Sequence, residues 1–142
     1  MHKIQKTIRS IAEAGISTEK VVLCGFSQGA CLATEYVARH ARRYGGLIAF
    51  TGGLIGPPDA DFGYSGDLAG TPVFFGSGDP EPHVPWERVQ QSAEVLTEMG
   101  ASVTAKRYRG KPHTITHKEI EVAKSLIRGA VGDQAIAKEK PV

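Results

Sequence analysis

Ser27 lies between two glycines in the stretch Gly25-Phe26-Ser27-Gln28-Gly29, which matches the pattern G-x-S-x-G. An apolar run precedes this stretch and an amphipathic helix pattern follows it, so the serine falls at a strand-to-helix turn. Such a turn is strained and lifts the hydroxyl above the sheet, and both glycines are expected where a Cβ would clash with neighbouring backbone. We therefore predict that Ser27 is a nucleophile and that the N–H of Gln28 binds part of a developing oxyanion.

A base and an orienting acid should accompany this serine, because a hydroxyl is a weak nucleophile until its proton is taken. Asp79 follows the third predicted strand and His113 follows the fourth. The carboxyl ends of parallel strands gather on one side of a sheet, where catalytic groups collect. The order serine, acid, histidine is a known order of a catalytic triad. His117 falls inside the last predicted helix and is expected to face solvent, so His113 is the preferred base.

The remaining histidines and the two cysteines do not suggest further chemistry. The five histidines show no ligand spacing with carboxylates or cysteines, so we predict neither a metal ion nor another cofactor. Cys24 and Cys31 fall at the end of a strand and early in the following helix, where buried thiols are common. We expect no structural disulfide between them.

The elements that must position these side chains alternate along the chain. A helix is predicted over about residues 2–14, and the predicted strands are 20–24, 47–50, 72–75 and 103–108. Thr116 and Glu119 have capping-box spacing at the head of the last helix. Strands that alternate with helices favour a parallel sheet of four strands with helices on both faces. We predict one α/β domain over residues 1–131 and a disordered tail over residues 132–142.

The composition is that of an ordinary globular protein: of the 142 residues, 41% are hydrophobic and 23% are charged. The formal net charge is +2 and no long run has a single sign, so nucleic acid and an anionic membrane are not expected partners. The sequence has neither a membrane-length apolar run nor the layout of a signal peptide, and a cytoplasmic location is expected.

Three segments carry a specific resemblance: "VVLCGFSQGACLA", "TPVFFGSGDPEPHVPWERV" and "YRGKPHTITHKEIEVAKSLI". They resemble the carboxylesterase/phospholipase/acyl-protein thioesterase family of α/β-hydrolases, from about residue 3 to residue 129. The resemblance implies that Ser27 is the nucleophile and that His113, in the pattern Y-x-G-x-x-H, is the base. It also implies an ester or thioester as the substrate, and a reaction that needs no cofactor.

The acid has two candidates under this resemblance. Asp79 has the family's distance from Gly76, whereas Glu81 has the family's distance from Val84-Pro85. We favour Asp79, because a strand fixes position more tightly than the loop beyond it. Glu81 would then be a surface loop residue.

The resemblance also implies that part of the fold is absent. The second oxyanion donor of the family comes from a segment well upstream of the serine, and roughly 60 to 80 residues, with about half the strands, are missing here. The strand before Ser27 would then be an exposed apolar edge, which favours a homodimer paired through it.

Apolar side chains near the predicted triad could bind an acyl group, and the candidates are Phe26, Leu54, Ile55, Phe62, Tyr64 and Trp86. Three hypotheses follow. The chain is a serine esterase or thioesterase acting on a small or acyl substrate, which is the reading we favour. Alternatively it is a truncated, weakly active or inactive remnant, or a binding module that uses the open edge of its sheet.

Overall fold

Four strands form the sheet: β1 (Val22–Phe26), β2 (Gly46–Phe50), β3 (Pro72–Asp79) and β4 (Ser102–Arg109). The computed structural model describes residues 2–57, 62–79, 81, 83–110 and 112–131. The strands are all parallel and follow the order β1-β2-β3-β4. The helices are α1 (His2–Glu13), α2 (Gln28–Arg39), α3 (Trp86–Glu98) and α4 (His117–Val131). The predicted α/β architecture with a four-stranded parallel sheet is confirmed.

The central strand β2 shows why the sheet needs helices on both faces. All five residues of β2 are buried. Leu47 and Ala49 join a hydrophobic cluster with side chains of α2 and α3, whereas Ile48 and Phe50 join a second cluster that includes Ala123 of α4. Successive side chains of a strand point to opposite faces, so an apolar run without alternation is what a doubly covered strand requires.

Two strand boundaries differ from the predicted ones. Thr18–Lys20 forms a turn of 3₁₀ helix, so β1 begins at Val22 and ends at Phe26 instead of covering residues 20–24. β3 continues past Phe75 to Asp79, because its last four residues keep pairing with β4. This extension carries the chain further towards the side of the sheet on which all four strands have their carboxyl ends.

The capping box at the head of α4 is confirmed. The backbone N–H of Thr116 donates to Glu119 Oε1 at 2.9 Å, and the N–H of Glu119 donates to Thr116 Oγ1 at 3.3 Å. This reciprocal pair satisfies two donors at the start of the helix. It thereby fixes the turn between β4 and α4, in which His113 lies.

The sheet has β1 at one edge and β4 at the other. The predicted position of β1 at an edge is confirmed, and Cys24 and Phe26 are exposed there. Cys24 was expected to be buried; it is exposed because no strand covers the outer side of β1 in the described part of the chain, and both cysteines are free thiols. None of the described helices combines the length and apolar character that crossing a membrane requires. The predicted tail, residues 132–142, lies outside the described residues.

Candidate active site

Ser27 lies at the sharp turn between β1 and α2. Its backbone has φ 56° and ψ −115°, a region that non-glycine residues rarely adopt. The N–H of Ser27 donates to the carbonyl of Phe50 at 2.9 Å, and the Ser27 carbonyl accepts from the N–H of Cys31 at 3.1 Å. The neighbouring strand and the first turn of α2 together hold the strained conformation, as the G-x-S-x-G pattern predicts.

The two glycines of the pattern differ in whether a side chain would fit at their positions. A Cβ on Gly25 would lie 2.4 Å from the carbonyl carbon of Gly29, so only glycine fits there without a backbone shift. A Cβ on Gly29 would meet nothing within 4 Å in the described part of the chain outside its own helix turn. The expected steric need for glycine is therefore confirmed at Gly25 and wrong at Gly29.

His113 is brought to the nucleophile by the turn that follows β4. Its Nε2 lies 3.1 Å from Ser27 Oγ, and the Phe26 ring packs 4.9 Å from the imidazole between ring centroids. His117 is in α4 with its side chain 86% exposed, as predicted, and it lies 3.6 Å from Glu121 on the same helix. Of the two histidines weighed as a base, the structure brings His113 to the serine.

Glu81 is the carboxylate that reaches His113. Its Oε1 and Oε2 lie 3.0 Å and 3.1 Å from His113 Nδ1, and Oε1 also accepts from the N–H of His83 at 2.9 Å. Burial by itself raises the pKa of Glu81, but the hydrogen bonds from His83 and His113 outweigh it and the pKa lies below its ordinary value. An ionised Glu81 can hold the imidazole with Nδ1–H donating to the carboxylate and Nε2 facing the serine.

Asp79 does not occupy the place predicted for it, and the assignment of the acid is corrected. Its Oδ2 instead lies 3.0 Å from the guanidinium Nη1 of Arg107, and each of the two side chains is 37% exposed. Arg107 pairs with Ser77 in the sheet, two residues before Asp79, so Arg107 and Asp79 lie on one face. The strand does fix the position of Asp79, but it fixes it beside β4. Glu81, expected to be a surface loop residue, is buried.

Gln28 is the first residue of α2. The first N–H groups of a helix have no partner within the helix, so the N–H of Gln28 is available at the turn that carries Ser27. This placement agrees with the oxyanion role predicted for Gln28, which stays a prediction.

A cavity of about 540 Å³ opens beside the Ser27 turn, between the start of α2, the loop after β2 and the start of α3. Leu54 and Ile55, two of the predicted substrate-binding residues, line it. Phe26 instead packs on His113, and the Trp86 ring receives the guanidinium of Arg107, 5.4 Å from its centroid. The lining residues that the sequence analysis missed include Cys31, Leu32, Val84 and Arg88. Helical spacing from Ser27 could have indicated the first two.

A buried carboxylate, which the sequence did not indicate, holds part of the cavity wall in place through hydrogen bonds. Glu35 of α2 is 1% exposed, and its Oε1 accepts from the N–H of Ile55 at 2.9 Å. Its Oε2 accepts from the hydroxyl of Tyr64 at 2.5 Å and from Nε of Arg39 at 2.8 Å. Burial raises the pKa of Glu35, but these hydrogen bonds outweigh it, so the pKa is lowered and the carboxylate is ionised at neutral pH.

His113 and its neighbours also form a group that could hold a metal ion. Glu81, His83 and His113 each offer a ligand atom, and these atoms lie within 4.8 Å of one another. The sequence spacing gave no sign of this group, because His113 arrives from another strand. The prediction that no metal ion binds rested on spacing in the sequence, and it stays a prediction.

The parallel sheet with a strained serine turn at the end of a strand has the architecture of the α/β-hydrolases. The family model of phospholipase/carboxylesterase matches residues 1–130, and the chain belongs to that family.

Curated relatives include acyl-protein thioesterase 1 of Saccharomyces cerevisiae, which is 28% identical over 134 residues. That match covers 94% of this chain and 53% of the relative. The carboxylesterase SOBER1 of Arabidopsis thaliana is 28% identical over 120 residues, covering 84% of this chain and 52% of the relative. The chain thus spans about half the length of the curated relatives that it matches.

Solved structures give the same result for the fold. The crystal structure of a phospholipase/carboxylesterase from Dyadobacter fermentans superposes with a TM-score of 0.83 at 48% identity. It covers 87% of this chain, which in turn covers 59% of that chain. Arabidopsis thaliana SOBER1 superposes with a TM-score of 0.76 at 24% identity, covering 92% of this chain and 62% of its own, and that likeness concerns the fold alone.

Proposed function

We propose that this chain is a serine hydrolase that cleaves carboxylic ester or thioester bonds of small or acyl substrates. The observation that carries the proposal is the continuous contact from Ser27 Oγ to His113 Nε2 at 3.1 Å and from His113 Nδ1 to Glu81 at 3.1 Å. A hydroxyl, an imidazole and a buried carboxylate in this order are what nucleophilic acyl transfer needs. Membership of the family supports the same reaction class.

In the proposed mechanism Ser27 attacks the carbonyl carbon of the substrate while His113 Nε2 takes the hydroxyl proton. Glu81 holds the imidazole in the required tautomer and stabilises the imidazolium that forms. The N–H of Gln28 donates to the tetrahedral oxyanion. His113 then gives its proton to the leaving alcohol or thiol. In the second half of the reaction His113 takes a proton from water, whose oxygen attacks the acyl carbon. The bond to Ser27 Oγ breaks, His113 returns the proton to Ser27 Oγ and the acid leaves, and no step requires a cofactor.

The cavity beside the Ser27 turn would receive the acyl part of the substrate. Leu54 and Ile55 contribute apolar surface to its wall, and Glu35 holds the backbone of Ile55 in place. The nearby loop is cross-braced by Arg88, which donates to the carbonyls of Leu54 and Gly56 at 3.2 Å and 2.8 Å. A braced apolar wall next to the nucleophile suits a hydrocarbon group.

Hydrolysis of a short p-nitrophenyl ester by the wild type and by Ser27→Ala tests the proposal. We expect the variant to lose the protein-dependent rate, and a fluorophosphonate probe to label the wild type but not the variant. Equal rates and equal labelling would contradict the proposal and favour the alternatives, a weakly active or inactive remnant or a binding module that uses the β1 edge. Loss of one oxyanion donor typically costs about 10²–10³ in rate, so the labelling detects a site that turns over slowly.

A further inference from the structure

Two imidazoles and one carboxylate lie close together beside the Ser27 turn, and one of them, His83, also lines the cavity. The rings of His83 and His113 lie 4.4 Å apart between centroids, tilted by 52°. Glu81 contributes a carboxylate to the same group, and the ligand atoms of the three residues lie within 4.8 Å of one another. Imidazole nitrogen and carboxylate oxygen are ligands that Zn²⁺ prefers, and three protein ligands leave its fourth position open to water.

The group can close on a metal ion with a small movement. Ligand atoms of a tetrahedral zinc site lie roughly 3.4 Å apart, given metal–ligand distances of about 2.0–2.1 Å. His83 is exposed, so its side chain can turn towards the other two without disturbing the core. Glu81 is buried and held by the backbone N–H of His83, which keeps the carboxylate and the His83 backbone together.

We propose that Glu81, His83 and His113 form a zinc-binding site that inhibits the hydrolase by taking His113 out of its catalytic arrangement. The inhibition rests on the proposed function, whereas the binding of the metal does not. Whichever nitrogen of His113 binds the ion, the triad loses a contact: Nδ1 faces Glu81, and Nε2 faces Ser27. The ion also occupies Glu81, the partner that holds the imidazole in its reactive orientation.

His83 separates metal binding from catalysis, because its side chain is outside the path from Ser27 to Glu81. The His83→Gln variant removes one imidazole ligand and leaves the backbone N–H that donates to Glu81. His117→Gln is the matched control, since His117 is an exposed histidine beside a carboxylate, Glu121, at 3.6 Å. Because His117 and Glu121 lie on a helix surface outside the group, this variant tests whether the loss of any exposed histidine would weaken zinc binding.

Isothermal titration of each protein with ZnCl₂, in a buffer that does not bind metal, tests the site directly. We expect one site in the wild type, Kd raised at least tenfold in His83→Gln, and Kd unchanged in His117→Gln. Ser27→Ala should bind zinc as the wild type does, because Ser27 is not a ligand. Wild-type Kd in His83→Gln, or the same loss in His117→Gln, would overturn the site.

Ester hydrolysis tests the inhibition, with the rate of each variant compared with its own rate without metal. We expect ZnCl₂ to inhibit the wild type and His117→Gln at concentrations near the measured Kd, EDTA to restore the rate, and His83→Gln to need at least tenfold more zinc. An active wild type that binds zinc with no loss of rate would overturn the inhibition. If the wild type has no hydrolase activity, the proposed function fails, and the titration still decides the metal site.

Discussion

The carboxylate of Glu81 lies 3.1 Å from Nδ1 of His113, while the carboxylate of Asp79, two residues earlier, lies 3.0 Å from Arg107. Glu81 is buried and Asp79 is partly exposed. A buried, hydrogen-bonded carboxylate can stabilise an imidazolium far better than an exposed one that already has a cationic partner. The roles of the two acids are therefore open to a direct comparison.

We expect Glu81→Gln to lower kcat for ester hydrolysis by roughly 10²–10⁴, because an amide favours the wrong tautomer of His113 and cannot stabilise its charged form. Asp79→Asn should keep kcat within about threefold, because the Asp79 carboxylate contacts Arg107 and the carboxylate that contacts His113 is Glu81. The variant loses only an exposed ion pair, which contributes about 0–1 kcal/mol to stability. Steady-state kinetics on both variants measures the difference. A larger loss of kcat in Asp79→Asn than in Glu81→Gln would return the acid role to Asp79.

The two glycines beside the nucleophile should respond differently to alanine. Gly25→Ala places a Cβ 2.4 Å from the backbone of Gly29, so we expect the free energy of unfolding to fall by about 1–3 kcal/mol or more. Gly29→Ala adds a Cβ in open space in the first turn of α2, and it should leave stability unchanged or raise it by up to about 1 kcal/mol. Urea unfolding of the two variants measures this contrast, and equal losses would contradict the steric argument.

The architecture could be predicted from the sequence because it depends on patterns that are local in the chain. Apolar runs without alternation predicted strands covered on both faces, and the turn at Ser27 was evident from a strand, a glycine pattern and a helix in succession. His113 could be placed because it follows a strand and precedes a capped helix. Each of these inferences needs only the order of elements and the rule that parallel strands end on the same side of the sheet.

What could not be predicted depends on the directions of side chains after a strand ends. Asp79 and Glu81 are two residues apart, and only the path of the chain beyond β3 decides which carboxylate meets His113. The group formed by Glu81, His83 and His113 was likewise hidden, because one of its members comes from another strand. Glu35 gave no signal, since the donors that satisfy its buried charge, at Ile55 and Tyr64, lie in a loop about 20 to 29 residues away.

The buried carboxylate of Glu35 should make stability depend on pH. Its pKa is lowered in the folded protein, so ionised Glu35 contributes stability above its unfolded pKa of about 4.5, and this contribution is lost as pH falls through the folded pKa. We expect Glu35→Gln to be less stable than the wild type at pH 7 by about 1–3 kcal/mol, with the gap narrowing below about pH 4.5. Denaturant unfolding between pH 7 and pH 3 measures the gap.

The exposed residue Glu94 on α3 provides the control for this experiment. Glu94→Gln removes a carboxylate that is not buried, so its effect on the free energy of unfolding should be small at every pH. A gap between wild type and Glu35→Gln that stays constant down to pH 3 would show that the lost stability comes from packing rather than from the charge.

The two edges of the sheet differ in charge, and this difference predicts where a second copy of the chain would pair. β4 carries Lys106, Arg107 and Arg109, and charged side chains on an edge strand oppose pairing with another chain. β1 has the sequence Val-Leu-Cys-Gly-Phe, with no charge and with Cys24 and Phe26 exposed.

We propose a homodimer paired through β1 and expect light scattering after size exclusion to give twice the chain mass. Cys24→Lys should shift the protein to monomer, whereas Thr104→Lys, on the charged edge, should not. A well-folded wild type that is monomeric at all concentrations would contradict the proposal, because an uncharged edge strand would then remain unpaired in solution.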